Sequence, residues 1–487
     1  MSATSIRDEQ RRLALSDTHP TLTGLKQAEL RGVWLSHLLG FCLFFTFIFK
    51  RIITFEAPFT VATDIPIRLL VIWLLLDRIG RRGKVKISGW DYVHLGFASA
   101  YALALVYADA FMVRQTGLTN YFEWAVRMFN PYLYFLVARE GTLRRGFKPY
   151  IVVNWLLATL LITCIAALLQ GANILGMRAV IDGWVNQRAA ELKMEGPSQP
   201  WQARGFFDHA NAMAIMLVQG LALLFGAVSY RRAGPFELIC FFFFILTLFA
   251  TFSRTGIASI AVLSLAVMVL FLYQKRIKAA LTLAIIVAGL VFAFFSVVYT
   301  FDIKRYQVFT KGAGVIKNEA DRGLQGWYLR QATIERAMRI ADKNPITGIS
   351  VATSAINRQR VIYESAYTFE GLLLNVYVYA YVLYGIMGIS FLAGIFYYTI
   401  GQLRYARTNI AFAPAAYLVG ISIAITGISE NTAFDQNHML VTNIIVAFAL
   451  AKIRKDEVAF TYSDNPFTPK WIQWLGFKGL GPTWKPD

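Results

Sequence analysis

Runs of about twenty apolar residues recur along most of this 487-residue chain, each long enough to cross about 30 Å of hydrocarbon as a helix. Inside lipid no water pairs with exposed backbone groups, so such runs fold as helices that satisfy their own N–H and C=O. Composition agrees, because 56% hydrophobic and only 16% charged residues leave no stretch for a soluble domain of ordinary size. Twelve spans are expected, at about 33–50, 58–78, 91–112, 122–138, 149–170, 208–228, 236–252, 256–273, 280–300, 370–402, 409–427 and 438–452. The last-but-two is too long for one crossing and contains Gly385 and Gly388, which predicts a partial helix followed by a true span. Cys42, Cys164 and Cys240 all fall inside apolar runs, where they act as small buried hydrophobes and imply no disulfide framework.

Basic clusters follow every second span: Arg81, Arg82 and Lys84; Arg144 and Arg145; Arg231 and Arg232; Lys275, Arg276 and Lys278; Arg404 and Arg407; Lys452, Arg454 and Lys455. By the positive-inside rule these loops and both termini are cytoplasmic. The expected organisation is a cytoplasmic segment 1–32, transmembrane helices one to nine over 33–300, an external loop 301–369, helices ten to twelve over 370–452, and a cytoplasmic tail 453–487. That topology explains much of the net charge of +19 and makes nucleic acid a poor candidate partner. It does not explain the segment from Phe301 to Tyr367, which carries eleven Lys and Arg against six Asp and Glu on the external side. Within it, Trp327, Ile334, Ala337, Met338 and Ala341 recur at helical spacing, predicting an amphipathic helix against the bundle.

Arg254 joins two apolar runs through Ser253-Arg254-Thr255-Gly256 alone, at an external hairpin tip. A guanidinium near hydrocarbon needs an anionic partner or a water-lined cavity. Arg204, Arg322 and Arg330 fall in or beside the same face, and paired guanidinium forks match phosphate oxygens. Asp-x-Asp motifs, paired metal-ligand histidines and a phosphate-cradling glycine loop are all missing, so neither a metal nor a cofactor is expected. His209, five residues after Arg204, is the histidine placed to take part.

From Gln202 to Gly388 the chain resembles the O-antigen ligase and polymerase family, membrane glycosyltransferases of C-type architecture acting on lipid-linked glycans. Arg204-Gly205 followed by His209, Ala210 and Asn211 resembles that family's Arg-Gly and Pro-Asn element, with Ala210 where Pro is common. Thr251 to Gly256 resembles its Ser-Arg hairpin, here Ser253-Arg254. Arg322, Asn344-Pro345, Gly348 and Gly385 to Gly388 resemble its external loop and the glycine-rich span that follows. The His-Asn pair that ligases often carry falls on Leu374-Asn375, which tilts the resemblance toward repeat-unit polymerase and leaves the base open among Glu370, Glu364 and His209.

The resemblance implies an all-α polytopic protein of the bacterial inner membrane, with about twelve transmembrane helices and a helical periplasmic loop between the ninth and tenth. Its substrates would be polyprenyl-diphosphate-linked oligosaccharides, both donor and acceptor, handled at the periplasmic face among membrane lipid. Arg254 and Arg322 would stabilise the leaving diphosphate, Glu370 or His209 would take the acceptor proton, and Arg204, Arg330, Asn211, Ser253 and Asn375 would bind substrate. Trp184, Trp201, Trp327 and Tyr328 either stack on sugars or anchor at the interface. A chain-length regulator or flippase is the partner expected at the cytoplasmic tail. An O-antigen ligase feeding a lipid A core, and a twelve-span transporter or flippase of lipid-linked glycans, are the rival readings.

Overall fold

The computed structural model describes residues 22–52, 65–80, 87–111, 118–144, 146–181, 203–207, 210–229, 234–300, 375–428 and 436–453, with short pieces between 334 and 348. The protein is helical throughout these residues. Twelve α-helices follow in order: α1 Leu22–Ile52, α2 Ile65–Gly80, α3 Gly89–Phe111, α4 Leu118–Thr142, α5 Pro149–Gly171, α6 Ala210–Val228, α7 Pro235–Ala250, α8 Arg254–Tyr273, α9 Ile277–Thr300, α10 Val376–Thr399, α11 Ala413–Thr426 and α12 Gln436–Leu450. Five stretches are long and apolar enough to cross a membrane: Glu29–Ile48, Pro149–Gly171, Ala210–Ala227, Thr255–Tyr273 and Val376–Tyr405. Side chains such as Leu69, Leu76, Phe242, Ile285 and Phe292 are exposed on the bundle's outside, where lipid is the only solvent that welcomes them. The fold is that of a multi-pass membrane protein.

Helix α1 begins at Leu22, well before the apolar run at 33, because Leu22 to Gly32 holds helix formers with no proline and extends the helix beyond its apolar part. Helices α5 and α7 start with Pro149 and Pro235, whose missing N–H would be unpaired at that position in any case. Helix α6 is central: Met213 to Val218 and Leu221 to Leu224 are buried, and α5, α7, α8 and α11 surround it. Small residues set the closest crossings, as where a Cβ at Gly226 would lie 2.5 Å from the Ala415 Cα, so α6 and α11 touch along their backbones.

Two polar clusters inside the bundle tie helices together. Gln219 Nε2 donates to the His438 carbonyl and to Thr442 Oγ1, both at 3.1 Å, and its Oε1 lies 3.1 Å from His438 Nδ1, joining α6 to α12. Since an amide oxygen only accepts, Nδ1 carries the proton in that contact. At the end where α2 and α4 finish and α3 begins, Asp91 accepts from Arg139 Nη1 at 2.6 and 2.8 Å and from Tyr132 and Ser88. Beside it Arg78 pairs with Glu140, and Arg144 pairs with Asp77 at 2.6 Å.

Candidate active site

At the opposite end of the bundle α5 and α7 finish and α6 and α8 begin. The Ala203 N–H donates to the Ala250 carbonyl at 3.1 Å, tying the turn before α6 to the last residue of α7. In that turn the backbone N–H groups of Arg204 and Gly205 both donate to Gln170 Oε1 on α5, at 3.1 and 3.0 Å, and the Phe207 N–H closes back on the Arg204 carbonyl at 3.1 Å. Gly205 sits at φ +56°, and a Cβ there would come 2.9 Å from the Thr163 carbonyl oxygen, so only glycine fits. Arg204 itself is buried.

Helix α8 follows α7 without a linker. Ser253 adopts extended backbone and its Oγ accepts from the Gly256 N–H at 3.1 Å, an N-cap that fixes where α8 starts. Arg254 therefore occupies the first helical position, its side chain lying outside what the structure describes. A helix N-terminus carries about half a positive charge, so a cation there is unfavourable unless an anion offsets both. Gly256 brings that first turn onto α6, because a Cβ would lie 2.8 Å from the Ala214 Cβ. Asn211, half-buried in the first turn of α6, belongs to the same cluster. Arg204, Gly205, Asn211, Ser253 and Arg254 are thus brought together.

Asn375 lies at the same end, on the far side of α11. Its Oδ1 accepts from the Tyr377 and Val378 N–H groups at 3.0 and 3.2 Å, capping α10, and the Val376 N–H donates to the Gly427 carbonyl at 2.7 Å. Helix α10 then breaks at Gly385, at φ 59° and ψ −146°, where the sequence places a glycine pair. The gap is filled by backbone from the external segment. The Ile386 N–H donates to the Pro345 carbonyl at 2.9 Å, and Cβ atoms at Gly385 and Gly348 would fall 2.6 Å from the Ile346 and Leu383 carbonyl carbons. Tyr381 Oη also donates to Asp342 Oδ1 at 2.8 Å, and Ala341 is fully buried. The described pieces of this segment at 341–348 are therefore seated on α10. His209, Arg322, Arg330, Glu364 and Glu370 lie outside the described residues, as do Trp184, Trp201, Trp327, Tyr328 and the tail beyond 453.

Two residues that pattern reading passed over stand out. Gln170 braces the Arg204 turn, and Gln219 holds His438. Each is a glutamine in or at the end of an apolar helix, a placement that is costly unless the amide is paired, and that was the available signal.

The bundle is that of a multi-pass membrane protein, and at this end a capped hairpin with Arg254 at the helix start lies beside a braced turn. Residues 239–393 match the family model described as O-Antigen ligase, a span that takes in the hairpin, the seated external segment and the break in α10. Over those residues the chain is similar to the O-antigen ligase and polymerase family. No curated protein matches the chain.

Proposed function

We propose that the protein polymerises oligosaccharide repeat units carried on polyprenyl diphosphate, as a twelve-span enzyme of the bacterial inner membrane working at its periplasmic face. The hydroxyl oxygen of an incoming unit attacks the anomeric carbon of the growing chain. As that C–O bond forms, the bond to the lipid diphosphate breaks with inversion, and the hydroxyl proton passes to Glu370 or His209. The barrier lies in charge growing on the leaving diphosphate, which fixed cations in a poorly solvated site stabilise better than water does. Arg254 and Arg322 take that role, and Arg330 orients the same group.

The observation that carries this reading is Arg254 at the first position of a capped helix, where helix end and guanidinium both call for an anion. The segment match supports the same substrate class. Its description favours a second reading, ligation of a finished glycan onto a lipid A core, while Leu374 in place of histidine favours polymerisation. Purified protein given synthetic lipid-linked repeat units, without metal or nucleotide, should build a ladder on a gel. Transfer only when a lipid A core acceptor is added would establish ligation instead, and no transfer in either reaction would end the proposal.

A further inference from the structure

The end of the bundle away from the candidate site is built in two different ways. At this end of α2, α3 and α4 three half-buried cations each have a carboxylate: Arg139 with Asp91, Arg78 with Glu140, Arg144 with Asp77. The packing of Phe412 and Phe147 on Phe448 puts the starts of α11 and α5 and the end of α12 at this same level. There the pattern changes. Residues 273–280, 397–412 and 450–455 contain eight Lys and Arg and no Asp or Glu. Among the described residues Lys275, Arg404, Arg407 and Lys452 make no ion pair, and all four are exposed.

These cations form one surface. Arg404 Cζ and Lys452 Nζ lie 4.9 and 5.9 Å from the centre of the same Tyr405 ring, and Arg407 Cζ lies 4.0 Å over Tyr273 with its Nε donating to the Tyr273 carbonyl. Gln274 Nε2 donates to the Ala406 carbonyl and the Ala411 N–H to the Ile453 carbonyl, each at 2.9 Å, locking the three loops together. Aromatic faces hold the guanidinium groups by cation–π attraction without neutralising them. Beside the cations, Leu272, Ile277 and Tyr397 expose more than half their surface.

We infer that this patch is a binding site for the headgroup of an anionic phospholipid, the phosphate seated among Arg404, Arg407 and Lys452 and the acyl chains running down past Leu272 and Tyr397. Charge complementarity requires an anion, and the exposed apolar side chains directly alongside require that the anion carry hydrocarbon. The site is separate from the Arg254 tip and independent of the glycan reaction.

The test uses full-length protein in detergent, titrated with phosphatidylglycerol, phosphatidylcholine or inorganic phosphate and followed by native mass spectrometry. Phosphatidylglycerol should bind, salt should weaken it, and the other two should not retain. The double variant R404Q/K452Q removes two cations that contact aromatic rings alone, and should weaken phosphatidylglycerol binding roughly tenfold or more. R339Q, an exposed arginine on the external segment, should bind as wild type does. Equal binding of both lipids, binding of free phosphate as tightly as lipid, or undiminished binding by the double variant would each overturn the assignment.

Discussion

Replacing Gln170 by Met keeps the volume of the side chain and removes the one oxygen that accepts from both Arg204 and Gly205. Gln170 is buried, so two backbone N–H groups lose their partner in a place water does not reach. Each such loss costs about 1–3 kcal/mol, giving roughly 2–6 kcal/mol for the pair. Even the lower end, about 2 kcal/mol, raises the population of the opened turn roughly 30-fold, since 1.4 kcal/mol is a factor of ten. Among the described residues the Ala203 and Phe207 backbone hydrogen bonds still tie the turn down, so the effect is local. Hydrogen–deuterium exchange on peptides spanning 203–207 reads it directly, with peptides from buried α12 as the internal reference. Faster exchange at 203–207, unchanged exchange in α12 and a fall in glycan transfer are expected. Wild-type exchange at 203–207 in the variant would refute the idea that Gln170 braces this turn.

Arg254→Lys keeps the charge at the start of α8 but loses the fork, and should lower turnover at least tenfold while the protein stays folded; wild-type turnover in the lipid-linked repeat assay would remove the case for bidentate phosphate contact. Asp91→Ala leaves Arg139 with only the longer contact to Glu140 at 3.7 Å and should destabilise the bundle by up to about 3–5 kcal/mol, seen as a lower unfolding midpoint in detergent. Gly385→Ala places a methyl group against the Pro345 and Ile346 backbone and should release the external segment from α10, detected as protease sensitivity near 345 with α6 and α8 unaffected.

The helical bundle was legible because lipid allows so few solutions: a run such as Ile257 to Tyr273 has no alternative to a helix, and α8 occupies it. Local punctuation was legible too. Ser253 and Asn375 each carry the side-chain oxygen that a helix start demands, and each caps one. The start of α1 at Leu22 was not, since polar helix formers continue a helix beyond its apolar part and hydropathy is blind to them. The candidate site was expected as a set of arginines, of which Arg204 alone has its side chain among the described residues. What joins 204 to 254 is a backbone bond from Ala203 to Ala250 and a glutamine on a third helix, and neither has a motif. The tilt toward polymerase rests on Leu374 alone, outside the described residues.

The seat of the external segment in the break of α10 is made by main-chain atoms on both sides: the Pro345 carbonyl, the Ile346 carbonyl carbon, the Leu383 carbonyl carbon and the Ile386 N–H. Recognition of this kind reads spacing, and asks of side chains only that Gly348 and Gly385 have none. Ile346, whose side chain is exposed, can be exchanged without disturbing it, whereas one residue added or deleted between Pro345 and Gly348 shifts every partner by a full peptide unit. Length at the anchor is thereby the constrained quantity, and an exposed side chain such as that of Ile346 can vary without detaching the anchor from the helix that carries it.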